Sequence, residues 1–84
     1  MSKCDDLLDL AKRNPRGLRF GDVCSLAECW GFKLRRQRGG HVLYKRSGFP
    51  QQMNFQNDRG MAKEYQVKQL LRAIDEIEQV ENPE

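Results

Sequence analysis

Apolar and polar positions divide the chain into stretches of different period. In the first, Leu7, Leu8 and Leu10 mark one side of a short helix over residues 3–13, and Ser2 with Asp5 has the spacing of a capping box. Asn14-Pro15-Arg16-Gly17 breaks that helix. Val23, Leu26, Ala27 and Trp30 then recur at i, i+3, i+4 and i+7, which predicts a second helix capped by Asp22 and ended by Gly31. The period falls to two in Phe32-Lys33-Leu34-Arg35-Arg36, so the next element is a strand. Gly39-Gly40 is a hairpin turn signal, and His41 to Lys45 is the returning strand. Ser47-Gly48-Phe49-Pro50 reads as a connection, Gln52 to Gln56 as a third strand, and Asn57-Asp58-Arg59-Gly60 as its end. Val67, Leu70, Leu71, Ile74 and Ile77 share one face of a last helix over residues 64–79, with a fraying end from Val80.

This order predicts an α+β fold: a three-stranded antiparallel sheet with helices packed on one face, plus an extra N-terminal helix. The chain divides into an N-terminal helical extension (1–17), a main domain (18–79) and a tail (80–84). The hairpin register has two solutions. A two-residue turn at Gly39-Gly40 sets Arg38 opposite His41, on one face with Phe32, Leu34 and Leu43. A three-residue loop that includes Arg38 pairs Gln37 with His41 and gathers Phe32, Leu34, Val42 and Tyr44. The second buries apolar groups more consistently and leaves His41 on the open face with Arg35 and Lys45.

Composition limits what such a fold can do. Eighty-four residues, 38% of them apolar, supply one small core and exclude a large α/β enzyme with a deep pocket. No apolar run approaches the ~20 residues of a membrane helix. The first ten residues are acidic without a long apolar stretch, so no secretory signal peptide is expected. The three cysteines, Cys4, Cys24 and Cys29, have no paired spacing, which argues against disulfides and for a reducing, cytoplasmic setting. Cys24 and Cys29 lie ~140° apart on a helix and there is one histidine, so no metal site is expected.

The net charge of +3 hides a strong asymmetry. Residues 12–46 carry ten Lys or Arg against Asp22 and Glu28, a local +8, while residues 64–84 sum to −4. Nine of the fifteen basic residues are Arg, whose planar fork suits phosphate. Nucleic acid is the natural partner of such a segment, although a solvated face or an acidic protein would suit the charge alone.

His41 is the only histidine, and it directly follows two glycines amid Arg35, Arg36, Arg38 and Lys45. Gly39 and Gly40 would let a phosphate approach the backbone closely. An imidazole beside bound phosphate suits one reaction in particular. RNA carries its own nucleophile, the 2′-hydroxyl, so the protein need supply neither nucleophile nor metal. It needs a base, which His41 would be, and cations for the charge that develops on phosphorus. A second acid is not evident, and Tyr44, an arginine or water would have to serve. Phe49, beside Pro50, is the best-placed ring for base stacking, against a plainer role as a staple over the core. No Walker loop, G-x-S-x-G or Rossmann fingerprint is present.

The run Phe32-Lys-Leu-Arg-Arg-Gln-Arg-Gly-Gly-His41, continued by Val42-Leu-Tyr-Lys45, resembles the HicA family of toxins. The likeness extends from about Arg19 to Ile77 and includes the helix that ends in Trp30-Gly-Phe32 and the closing helix from Ala62. The resemblance implies a fold like the double-stranded-RNA-binding domain, activity as an mRNA interferase without a cofactor, and a HicB-like antitoxin as partner. It puts the catalytic histidine on His41 and the glycine before the turn on Gly39. One position departs: the family commonly has Gly-Ser-His, and Gly40 stands where the serine does. Arg35, Arg36, Arg38, Gly39, Gly40 and Lys45 are the expected RNA-binding residues. The alternative to a nuclease is a non-catalytic RNA-binding module, or an inactivated toxin, on the same scaffold.

Overall fold

The first helix, α1, runs Lys3–Arg13, where the leucine pattern put it. Asp5 and Asp6 in its first turn and Lys12 and Arg13 in its last suit the helix dipole. Only Leu7 and Ala11, four residues apart, are buried. The computed structural model describes residues 3–81, so Ser2 of the expected capping box and the tail beyond Glu81 lie outside the described residues. A 3₁₀ turn, Pro15–Gly17, follows. Arg16 in that turn reaches Glu64 at 3.3 Å, which ties it to the last helix.

Helix α2 spans Phe20–Cys29 and starts earlier than expected. Arg19 holds the N-cap position, and its backbone N–H donates to the Asp22 carboxylate at 3.4 Å. Asp22 therefore serves the first turn from inside the helix and does not cap it. Val23, Leu26 and Ala27 form the buried stripe, as their spacing predicts. Gly31, with φ +87°, makes the left-handed exit.

Three strands follow, β1 (Lys33–Arg38), β2 (His41–Arg46) and β3 (Phe49–Gln56), antiparallel in that spatial order. Strand β3 begins three residues before its expected start. Pro50 is tolerated there because β3 is an edge strand, where a missing N–H breaks no interior ladder. The last helix, α3, covers Glu64–Glu81, two residues past its expected end. Val42, Tyr44, Met53 and Phe55 on the inward sheet face join Leu18, Leu26, Val67, Leu70 and Ile74 in one core. Phe32 and Phe55 are each 1% exposed, and burying such a ring stabilises the fold by about 1.5–3 kcal/mol. The N-terminal helix shares this core through Leu7 and Ala11.

Two expectations need correction. Cys4 and Cys29 form a disulfide, with Cα atoms 5.7 Å apart, that staples α1 to the end of α2. Sequence spacing held no sign of it because the pairing is made by helix packing across 25 residues. Cys24 is the free thiol.

The hairpin register is neither of the two solutions but both in succession. At the tip Arg38 pairs with His41, Gln37 with Val42 and Arg36 with Leu43, as a two-residue turn requires. A bulge between Leu34 and Arg36 then shifts the pairing, so that Leu34 meets Tyr44 and Lys33 meets Lys45. The inserted residue is Arg35. It lets the apolar Leu34 oppose Tyr44 without moving Arg38 from His41.

Candidate nucleic-acid interface

The three strands hold six cations and no carboxylate. Every residue of β1 is exposed, and His41 and Lys45 of β2 are exposed on the face turned away from the core. Arg46 is spent on the fold: its Nε donates to the Trp30 carbonyl at 2.8 Å, and its guanidinium pairs with Glu81. Lys33, Arg35, Arg36, Arg38 and Lys45 have no ion-pair partner among the described residues. The acidic residues among those described sit on the helices and in the turn after β3, so no strand offers a carboxylate to compete for these cations.

At the tip, Gly39 takes φ +58°, a conformation that glycine adopts without strain and that the first central residue of a type II′ turn needs. The Gly40 carbonyl accepts the Asn57 N–H at 2.7 Å, which anchors the turn to the segment after β3. His41 pairs across to Gln56, whose N–H donates to the Oε1 of Gln66 at 2.8 Å. Gln66 is itself buried on α3, so a helix side chain fixes the strand beside the histidine. His41, Arg36, Arg38, Leu43 and Asn54 line a shallow depression of about 210 Å³ on the open face.

The expected site residues therefore divide. Arg36, Arg38, Gly39 and Gly40 lie with His41 at the tip, whereas Arg35 and Lys45 do not share its depression. They line a separate hollow of about 450 Å³ at the base of the hairpin, with Lys33, Arg46, Ser47 and Phe49. His41 and Lys45 do share the open face of β2, as expected, but they lie in different depressions along it. Asn54, Asn57, Gln66 and Lys33 are participants that sequence reading missed. Asn54 and Lys33 follow from strand register alone, while Gln66 falls on the buried face of its helix and gave no chemical signal.

Tyr44 is removed from the list of acids. It is 3% exposed and faces the helices, where its hydroxyl donates to Glu28 at 2.9 Å and contacts Cys24. Burial, reinforced by Glu28, pushes the phenol well above its ordinary 10.0. Burial likewise pushes the Cys24 thiol up, and nearby Glu28 adds to the rise while the Tyr44 hydroxyl opposes it. Phe49 packs edge-to-face on Phe32 at 5.8 Å, which makes it a staple over the core and not a free stacking ring.

Both raised groups have the same consequence for pH. A folded-state pKa above the unfolded one contributes stability that is complete below the unfolded value and lost as pH rises toward the folded one. The denaturant midpoint is thus expected to fall as pH rises above the ordinary values of 9.0 for Cys24 and 10.0 for Tyr44. Tyr44→Phe should flatten that fall, and an unchanged slope in this variant would contradict the assignment. The Cys24 thiol should also react with iodoacetamide at pH 8 more slowly than a free thiol does.

Among the described residues no group of three His, Cys, Asp or Glu is placed to hold a metal ion, and no helix is long and apolar enough to cross a membrane. Compared with models of protein families, with curated proteins and with solved structures, the chain matches none.

Proposed function

We propose that this protein is an endoribonuclease of the mRNA interferase kind, with His41 as its general base. The observation that supports the reading is the setting of His41: an exposed imidazole at a glycine turn, in one depression with Arg36 and Arg38, on a sheet without carboxylates. In this reading RNA lies across the open face with a phosphate between the two arginines. His41 takes the 2′-hydroxyl proton as the 2′-oxygen bonds to phosphorus. The arginines stabilise the charge that builds on the phosphoryl oxygens. The bond from phosphorus to the 5′-oxygen breaks, and that oxygen takes a proton from the imidazolium or from water. The products are a 2′,3′-cyclic phosphate and a 5′-hydroxyl. With Tyr44 turned inward, no second side chain is assigned to the leaving group, so turnover is expected to be slow.

The resemblance to HicA toxins supplies the rest of the proposal. The unit from α2 to α3 would be a relative of the double-stranded-RNA-binding domain, cellular mRNA the substrate, the cytoplasm the setting, and a HicB-like antitoxin the protein that covers His41. Purified protein incubated with an unstructured RNA in the presence of a chelator should cut it. RNA left intact at high protein concentration would favour the reading as a non-catalytic RNA-binding module.

Gly40 offers a gain-of-function test. Its φ is not positive, and a Cβ there would approach no atom closer than the Asn57 carbonyl oxygen, at 3.4 Å. Gly40→Ser should fold normally and add a hydroxyl donor beside the phosphate. Cleavage is expected to rise roughly tenfold, the worth of one hydrogen bond to a charged group. Initial rates on one RNA check this, and equal rates would remove the serine position from the mechanism.

A further inference from the structure

The open sheet face carries two cationic depressions, and the reaction proposed above uses only the one at the tip. We infer that the hollow at the base of the hairpin, built by Lys33, Arg35, Lys45 and Ser47, is a second phosphate-binding subsite, which holds the backbone of the RNA strand whose scissile step lies at His41. The inference rests on the ribonuclease reading for its ligand and extends it to the length of RNA engaged.

Three observations carry it. The first is charge. Lys33, Arg35 and Lys45 are exposed and have no ion-pair partner among the described residues, and Lys33 faces Lys45 directly across the ladder. Like charges opposite one another are destabilising in a sheet, so this pair favours an anion between or above it.

The second is the bulge. In a regular strand Arg35 and Arg36 would point to opposite faces. The insertion at Arg35 lets successive arginines serve successive depressions instead, Arg36 at the tip and Arg35 at the base. Bulges re-aim side chains in this way, and an arginine is what this one re-aims.

The third is that the walls of the hollow are fixed. Arg46 is held by the Trp30 carbonyl and Glu81 and packs against Gly31, where a Cβ would come within 3.2 Å of the Arg46 Nε. Phe49 is locked on Phe32. A rigid, cationic hollow without a free aromatic ring reads phosphate and not base, so its contribution is expected to be independent of sequence.

The spacing of the two sites defines the ligand. His41 and Lys45 are four positions apart on β2, about 13 Å along the strand. That exceeds one internucleotide step, so an RNA must continue beyond the nucleotide at the cut to fill both. A single strand is the fitting occupant, because attack in line with the 5′-oxygen needs a phosphodiester free of the A-form helix.

The test is binding of RNAs blocked by 2′-O-methylation, so that failure of catalysis by His41 cannot affect the result. Wild-type protein should bind a ten-nucleotide strand at least tenfold more tightly than a three-nucleotide one. Its salt slope on the longer strand should be steeper by about 2, the value for three phosphates neutralised on a single strand. In a Lys33→Gln, Arg35→Gln, Lys45→Gln variant both differences should vanish, with circular dichroism checking that the fold is kept. Wild-type affinity and slope that do not change with length overturn the subsite, and that arm does not depend on the variant folding. Length dependence that survives in the folded triple variant overturns it as well. Tight, length-dependent binding of blocked RNA with no cutting of unblocked RNA would uphold the subsite and reject the nuclease.

Discussion

Replacing His41 with alanine is expected to slow RNA cleavage by about 10²–10⁴-fold, the usual contribution of a positioned general base. The loss should be chemical and not structural. The His41 side chain is exposed, and what holds the residue in place is the backbone ladder to Arg38 and Gln56, which alanine keeps. The melting temperature should therefore stay within a few degrees of wild type, since surface substitutions of this sort change stability by about 0.5 kcal/mol or less. Added imidazole should restore part of the rate, because the cavity left by the side chain opens to solvent. Undiminished cleavage by folded His41→Ala would move the base elsewhere. A retained rate would remove the tip as the reacting centre altogether.

The second large effect is on stability. The Cys4–Cys29 bridge closes a loop of 25 residues, and the loop-entropy relation puts the stabilisation from such a closure at about 3–4 kcal/mol. Cys4→Ser, or reductant added to wild type, should lower the melting temperature by roughly 10–25 °C in a domain of this size. The loss should begin at α1, which otherwise contributes only Leu7 and Ala11 as buried side chains. Amide exchange would then show residues 3–13 opening ahead of the sheet. A melting temperature indifferent to reductant would mean that the bridge does not form in solution. In the reducing cytoplasm that the toxin reading implies, the thiol form would prevail. The sheet and its depressions would remain, since neither cysteine contributes to them.

Much of this architecture was legible in the sequence, and the exceptions have physical reasons. Helix α1 was plain because Leu7, Leu8 and Leu10 end at an Asn-Pro break, and α3 because five apolar residues share one face. Strand β1 was the weak point. All six of its residues are exposed, Leu34 at 47%, so no buried alternation exists from which to read a register. Apolar matching favoured one register and the Gly39-Gly40 turn the other, and the bulge satisfies both. Tyr44 lies three residues from His41 on one strand, so alternation alone sets the two on opposite faces and could have excluded it as an acid at the site. The disulfide depends on helix packing that no local pattern encodes. The proposal of His41 and its arginines needed only local sequence, and the division of those arginines between two depressions needed the fold.

In the proposed reaction the RNA's own 2′-hydroxyl is the nucleophile and His41 its base. The chemistry of the cut ends tests this most directly. An RNA cleaved by wild-type protein in the presence of chelator should carry 2′,3′-cyclic phosphate on the upstream fragment and 5′-hydroxyl on the downstream one, and a single 2′-deoxy substitution at the cut site should abolish cleavage there. A 5′-phosphate on the downstream fragment, or cutting that persists at the 2′-deoxy position, would contradict the account.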